Sequence, residues 1–136
     1  MSASDARHEA ERWFKTAGQD LQAAKALAQT DHHAQACFLA QQAAEKAVKS
    51  LWFAQDADPW GHSVQKLLSE LPGYPTLTED HAIARIAARL DRLYIPTRYP
   101  NGIPDLTPGE TYAAEDAEEA INGAMRILDA VQPCLL

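Results

Sequence analysis

The chain is short of cysteine, of long apolar runs and of clustered β-branched residues, and each shortage excludes a class of protein. Two cysteines, Cys37 and Cys134, are too few and too far apart for a disulfide framework or a metal knuckle. No run of about 18 apolar residues exists to span a bilayer. The segment Met1-Ser-Ala-Ser-Asp-Ala-Arg7 lacks the apolar stretch of a signal peptide. A cytoplasmic protein with no membrane partner is therefore expected. The β-branched runs that strands need are missing as well. His32-His33 has no carboxylate or cysteine at a metal-binding spacing, so neither a metal nor a cofactor is expected.

What remains is an alanine-rich chain of 136 residues, 46% apolar and 23% charged, the mix of a single soluble domain. Everything periodic in it has the helical period. Trp13, Ala17, Asp20/Leu21, Ala24 and Leu27/Ala28 predict a first helix over about 5–28. Asp31 is placed to cap a second helix running to about Ala54, with Ala36, Ala40, Ala43/Ala44, Ala47/Val48 and Leu51 inward. A short helix is predicted over about 62–70. A fourth, capped by Thr76 or Thr78, carries Ile83, Ile86/Ala87, Leu90 and Leu93/Tyr94 until Pro96 stops it. Residues 96–111 hold four prolines and two glycines and read as a long irregular loop, of the kind that is usually functional or mobile. A last helix covers about 113–131. Four long helices with apolar stripes bury them most simply as an antiparallel up-and-down four-helix bundle with one short extra helix, all-α, its core over about 5–131.

Net charge is −7, which opposes nonspecific nucleic-acid binding by the surface as a whole. The charge is uneven. Arg85, Arg89, Arg92 and Arg98 face only Asp91 between residues 85 and 99, whereas residues 110–129 carry six acids against Arg126. The first three arginines fall within about 60° on a helical wheel, which fits either a solvated face or a local basic patch.

Two segments offer polar chemistry. Gln41, Glu45 and Lys49 recur every four residues on the second helix, with Gln42 and Lys46 beside them. Glu45→Lys49 is also a favourable helical ion pair of about 0.3–0.5 kcal/mol, common on exposed faces. In the loop, Arg98-Tyr99-Pro100 puts a guanidinium fork beside an aromatic ring, and Pro96 and Pro100 stiffen the presentation. Arg98 either meets an anionic ligand or ties the loop to a carboxylate such as Asp20 or Glu45. Asp20 lies on the core side of its helix, so it needs a partner, while Trp13 reads as core. A lone imidazole such as His62 is more often a cap or packed ring than a catalyst.

The segment Gln41-Gln42-Ala43-Ala44-Glu45-Lys46 with Lys49, the Arg98-Tyr99-Pro100 loop, Trp13 with Asp20-Leu21, and His62 together resemble a HEPN domain. The resemblance runs from Trp13 to about Ile127. The second-helix segment is similar to the signature of a bacterial HEPN group often paired with a minimal nucleotidyltransferase. It implies a homodimer and a nucleotide- or substrate-binding subunit that acts with such a partner, in some pairs as the toxin half of a toxin–antitoxin module. The implied ligand-binding residues are Arg98, Tyr99, Lys46 and Lys49, with Gln42, Glu45, Asp20 and His62. A homodimer also fits Phe38, Leu39, Trp52 and Phe53, which lie beside the inner stripe of the second helix.

HEPN ribonucleases carry Arg-x(4–6)-His, pairing an acid–base imidazole with a cation for the phosphorane charge. No arginine here has a histidine five to seven positions later. The expectation therefore leans against an enzyme and predicts no robust metal-independent ribonuclease activity. Two other readings stand beside it: an RNA endonuclease with a divergent site using Arg98 with His62 or Tyr99, and a non-catalytic partner-docking bundle. If the loop folds back over the second helix, Arg98 converges with Lys46 and Lys49 into a phosphate-sized pocket.

Overall fold

The structure, a computed structural model, describes residues 2–136. The described residues are helical with no strand: α1 (Ala3–Gln29), α2 (His33–Ala54), α3 (Val64–Ser69), α4 (Pro75–Thr78), α5 (His81–Asp91), α6 (Pro108–Thr111) and α7 (Ala114–Val131). Helices α1, α2, α5 and α7 form the antiparallel bundle, with α2 at its centre, touching each of the other three. None of the described helices is long and apolar enough to cross a membrane.

The alanine stripes explain why α1 and α2 pack so extensively. Ala17 and Ala24 of α1 and Ala36, Ala40, Ala43, Ala44 and Ala47 of α2 are all fully buried in one core, so the helix backbones approach without large side chains to hold them apart. Val48, Leu51, Leu90, Ile127 and Val131 fill the wider centre of the core. On the far side, Gly123 admits α5 closely, since a Cβ there would lie 3.0 Å from Ile86 Cγ2.

The expected order of elements is present, and the local signals differ at four points. Asp31 does not cap α2. It adopts φ 61°, the left-handed turn conformation that Asp tolerates, and His32 occupies the N-cap position without a side-chain bond. Thr76 and Thr78 belong to a separate single turn, α4, and Asp80 caps α5 by accepting from the Ala82 and Ile83 amides at 2.9 and 3.2 Å. Helix α5 ends at Asp91, ahead of Pro96, and continues as turns that carry Tyr94 and Arg98. The 96–111 segment is less irregular than its composition predicts. It contains a 3₁₀ turn at Pro100–Gly102 and the single turn α6, closed by a capping box between Thr107 and Glu110.

Candidate functional site

Phe38, Gln42, Glu45 and Lys49 follow one another at four, three and four residues, so they form one strip along α2. The strip has two ends of different character.

At the Lys49 end the charge is inside the protein. Glu45 is 3% exposed and Lys49 9%, and Lys49 Nζ lies 3.2 Å from Glu45 Oε2. The pair is therefore no exposed helix decoration. Gln41 and Gln42 each aim a side-chain amide at Glu45 Oε1 from 3.4 Å, and His62 Nδ1 lies 3.3 Å from the same oxygen. Gln41 also donates to the His62 carbonyl at 3.0 Å, which fixes the segment entering α3. A buried carboxylate is tolerated only when its lone pairs are met in this way. Lys49 also sits 5.9 Å from the centroid of Trp13. Trp13 itself is half-buried instead of core, stacked on Phe53 at 4.9 Å and donating from Nε1 to Glu9. One turn away Lys46 reaches Asp20 at 2.6 Å, the partner that the core-side placement of Asp20 requires.

At the Phe38 end the charge faces out. Arg98 makes no ion pair with Asp20, Glu45 or any other described carboxylate. Its Nε donates to the Tyr94 carbonyl at 2.9 Å. Its guanidinium carbon lies 4.5 Å from the ring centroids of Phe38 and Tyr94 and 5.0 Å from that of Tyr99. The imidazole of His62 stacks on the same Tyr94 ring, centroids 4.5 Å apart and planes 15° apart. Buried Thr97, bonded to the Leu93 carbonyl, holds the turn beneath them. With Nε engaged, the two terminal nitrogens of the guanidinium make no hydrogen bond among the described residues. Arg98 borders an open cavity of about 620 Å³ that Leu27, Gln35, Phe38, Leu39 and Thr107 also line.

The expected convergence of Arg98 with Lys46 and Lys49 therefore does not describe the site. Both lysines are engaged by carboxylates, and Lys46 lines a different hollow, with Glu9, Arg12 and Trp13. Nor is the arginine-rich helix a free basic patch. Arg89 and Arg92 face Asp116 and Glu119 of α7 across a narrow groove, and Arg89 Nη1 lies 3.6 Å from Glu119 Oε1. Sequence reasoning missed Phe38 and Tyr94 as platforms for Arg98. Their signal was an aromatic one turn before Arg98, and a second on the flank of α2 nearest the loop.

The remaining candidate groups are quiet. Burial, with Asp116 and Glu119 nearby, pushes the Cys37 thiol up to about 12, which keeps it protonated and unreactive at neutral pH. Burial raises the Cys134 thiol too. Among the described residues no three His, Cys, Asp or Glu side chains converge to hold a metal.

Relatives of the chain are well defined. The HEPN domain family profile matches residues 10–134. Over 135 residues the chain is 30% identical to a Methanocaldococcus jannaschii protein named "Putative toxin MJ1304", covering 93% of this chain and 88% of that one. The crystal structure of TT1696 from Thermus thermophilus matches with TM-score 0.88 and 38% identity over 92% of this chain and 97% of its own. That of ST0689, described as an archaeal HEPN homologue, matches with TM-score 0.78 and 38% identity over 94% and 98%. A HEPN domain protein of Thermotoga maritima, tm0613, matches with TM-score 0.70 and 30% identity over 91% and 97%. With a family match over nearly its whole length and these relatives, the chain belongs to the HEPN domain family.

Proposed function

We propose that this HEPN protein is a nucleotide-binding subunit of a toxin–antitoxin pair, a cytoplasmic homodimer acting with a minimal nucleotidyltransferase. The observation that carries the nucleotide reading is Arg98. Its guanidinium is held by three rings and one carbonyl, with no carboxylate to neutralise it, at the edge of an open cavity of about 620 Å³. A planar cation fixed in this way meets a phosphate with a bidentate fork. The apolar walls supplied by Leu27, Phe38 and Leu39 suit a base or ribose, and the half-exposed Tyr99 ring offers a stacking face. Glu45, Lys49, Gln42 and His62 form the frame behind this surface, while Asp20 and Lys46 pair away from it, at the hollow beside Glu9 and Trp13. The M. jannaschii relative, by its name, supports the toxin side of the pair.

The test is calorimetry with ATP and GTP on the wild type and on Arg98→Ala. Charge-assisted hydrogen bonds contribute about 1.5–3 kcal/mol each, so the variant should bind ten- to a hundredfold more weakly. A wild type that binds neither nucleotide would end this reading and favour the partner-docking one. The dimer has its own measurement. Light scattering at tens of micromolar should give about twice the 14.9 kDa chain mass, and a monomer would end that part of the proposal.

A further inference from the structure

The turn leading into α3 is held from two sides. From α2, Gln41 binds the His62 carbonyl at 3.0 Å, and Glu45 Oε1 lies 3.3 Å from His62 Nδ1. From α5, the Asp91 carboxylate accepts from Ser63 Oγ at 2.6 Å, from the Val64 amide at 2.6 Å and from the Gln65 amide at 3.3 Å. Helix α3 already has a local cap, because Ser63 Oγ accepts from the Lys66 amide at 3.0 Å. The additional effect of Asp91 is tertiary: it ties the last residue of α5 to the residues just after His62. No described cation pairs with Asp91, and the amides at the start of α3 stabilise its charge.

The other half of the stack follows on the next turn of the backbone. Tyr94 follows Asp91 by three residues, and its amide points to the Asp91 carbonyl at 3.4 Å. Tyr94 then supports His62 through its ring, and Arg98 through both ring and carbonyl. We infer that Asp91 is a positioning residue for the Arg98 site, locking His62 onto Tyr94 so that the ring beneath the guanidinium cannot turn away. With the carboxylate removed, the α3 entry loses its hold on α5, and the Tyr94 ring is free of the imidazole that confines it.

The test compares Asp91→Ala with the wild type by NMR and by ATP titration. The His62 ring protons should lose the ring-current displacement that Tyr94 imposes, and the Arg98 Nε–H should exchange with water faster. Amides of α1 and α7 should keep their shifts, which separates loss of position from loss of fold. ATP affinity should fall about tenfold, and Asp91→Ala/Arg98→Ala should bind no more weakly than Arg98→Ala alone. Unmoved His62 and Arg98 signals, or losses that multiply in the double variant, would overturn the inference. Only the ATP arm rests on the nucleotide reading. If the wild type binds no ATP, that reading fails and the two NMR signals still decide the role of Asp91. If Asp91→Ala does not fold, Asp91→Asn, which keeps one acceptor oxygen, should move the same signals less far in the same direction, and unmoved signals there count against the inference equally.

Discussion

Lys49 and Arg98 are cations at the two ends of one strip on α2, and the fold treats them in opposite ways. Lys49 is drawn inside, 9% exposed and 3.2 Å from a carboxylate that is itself buried. Arg98 stays at the surface, where rings and a carbonyl hold it and no described carboxylate neutralises it. An ion pair taken out of water gains its Coulomb attraction only by losing hydration, so it organises structure and has little charge left for a ligand. A cation on aromatic faces keeps its charge, because a ring quadrupole attracts without neutralising; each such contact contributes about 0.5–1 kcal/mol at an exposed site. One end of the strip is therefore framework, and the other presents a cation whose charge is not neutralised.

The sharpest way to break this comparison is to remove each cation and ask which property suffers. Lys49→Met keeps most of the aliphatic stem and leaves the Glu45 carboxylate without its ammonium. The loss should be about 3 kcal/mol of stability, the low end for a broken buried pair, because two amides and His62 still reach the carboxylate. Urea denaturation measures it. Nucleotide affinity should stay within about twofold, and a tenfold loss in a folded Lys49→Met would place the lysine in the binding site after all. Arg98→Ala should do the reverse. The ten- to hundredfold loss in affinity should come with a stability change of about 1–2 kcal/mol, below the Lys49→Met loss, because one exposed cation is shared among the three rings.

How much of this was legible in the sequence follows the range of the forces involved. The helices were, because alanine and leucine stripes repeat within a few residues and their burial is a local consequence of period. The family was also legible, through Gln41 to Lys49 and Arg98-Tyr99-Pro100. The partners of the charged residues were mostly not. Asp20 clearly needed a cation, yet nothing in its neighbourhood pointed to Lys46, 26 residues away. Arg98 was expected to meet a carboxylate or two lysines. It met Phe38, 60 positions earlier, where the turns after α5 bring the loop against α2. Long-range pairing is settled by how elements pack, and a single sequence carries only one side of each pair.

The buried side of α2 gives a third test. Cys37 sits beside Phe38 in sequence but is wholly buried, and its thiol is raised from 9.0 to about 12 by burial first and by Asp116 and Glu119 second. A folded-state value above the unfolded one means that the unfolded chain loses its proton first as pH rises. The Cys37 contribution to stability is then intact below about pH 9 and is lost between about pH 9 and 12, at about 1.4 kcal/mol per unit. Comparing urea midpoints of wild type and Cys37→Ala at pH 8 and pH 10 isolates it. The gap between the two proteins should shift against the wild type at pH 10 by about 1.4 kcal/mol. An unchanged gap would mean that water reaches this face of α2, and the contrast between a closed interior and an open Arg98 end would weaken.

The smallest effect is expected where the sequence grouped residues most naturally. Arg85, Arg89, Arg92 and Arg98 look like one basic patch along the chain, but only Arg98 lies on the aromatic platform. Arg89 projects toward α7, 3.6 Å from Glu119, with both side chains about two-thirds exposed. At that exposure water screens the pair, and its contribution should not exceed about 0.5 kcal/mol. Arg89→Ala should accordingly leave the melting temperature within a degree or two, and nucleotide affinity should change by less than twofold at moderate salt. The distinction rests on distance and screening: fields between exposed charges fade within about 8–10 Å at physiological ionic strength, so a cation elsewhere on α5 adds little to a phosphate held at Arg98. Calorimetry showing Arg89→Ala as damaging as Arg98→Ala would return the ligand to the arginine face of α5, and the aromatic cradle would then be only the anchor of its loop.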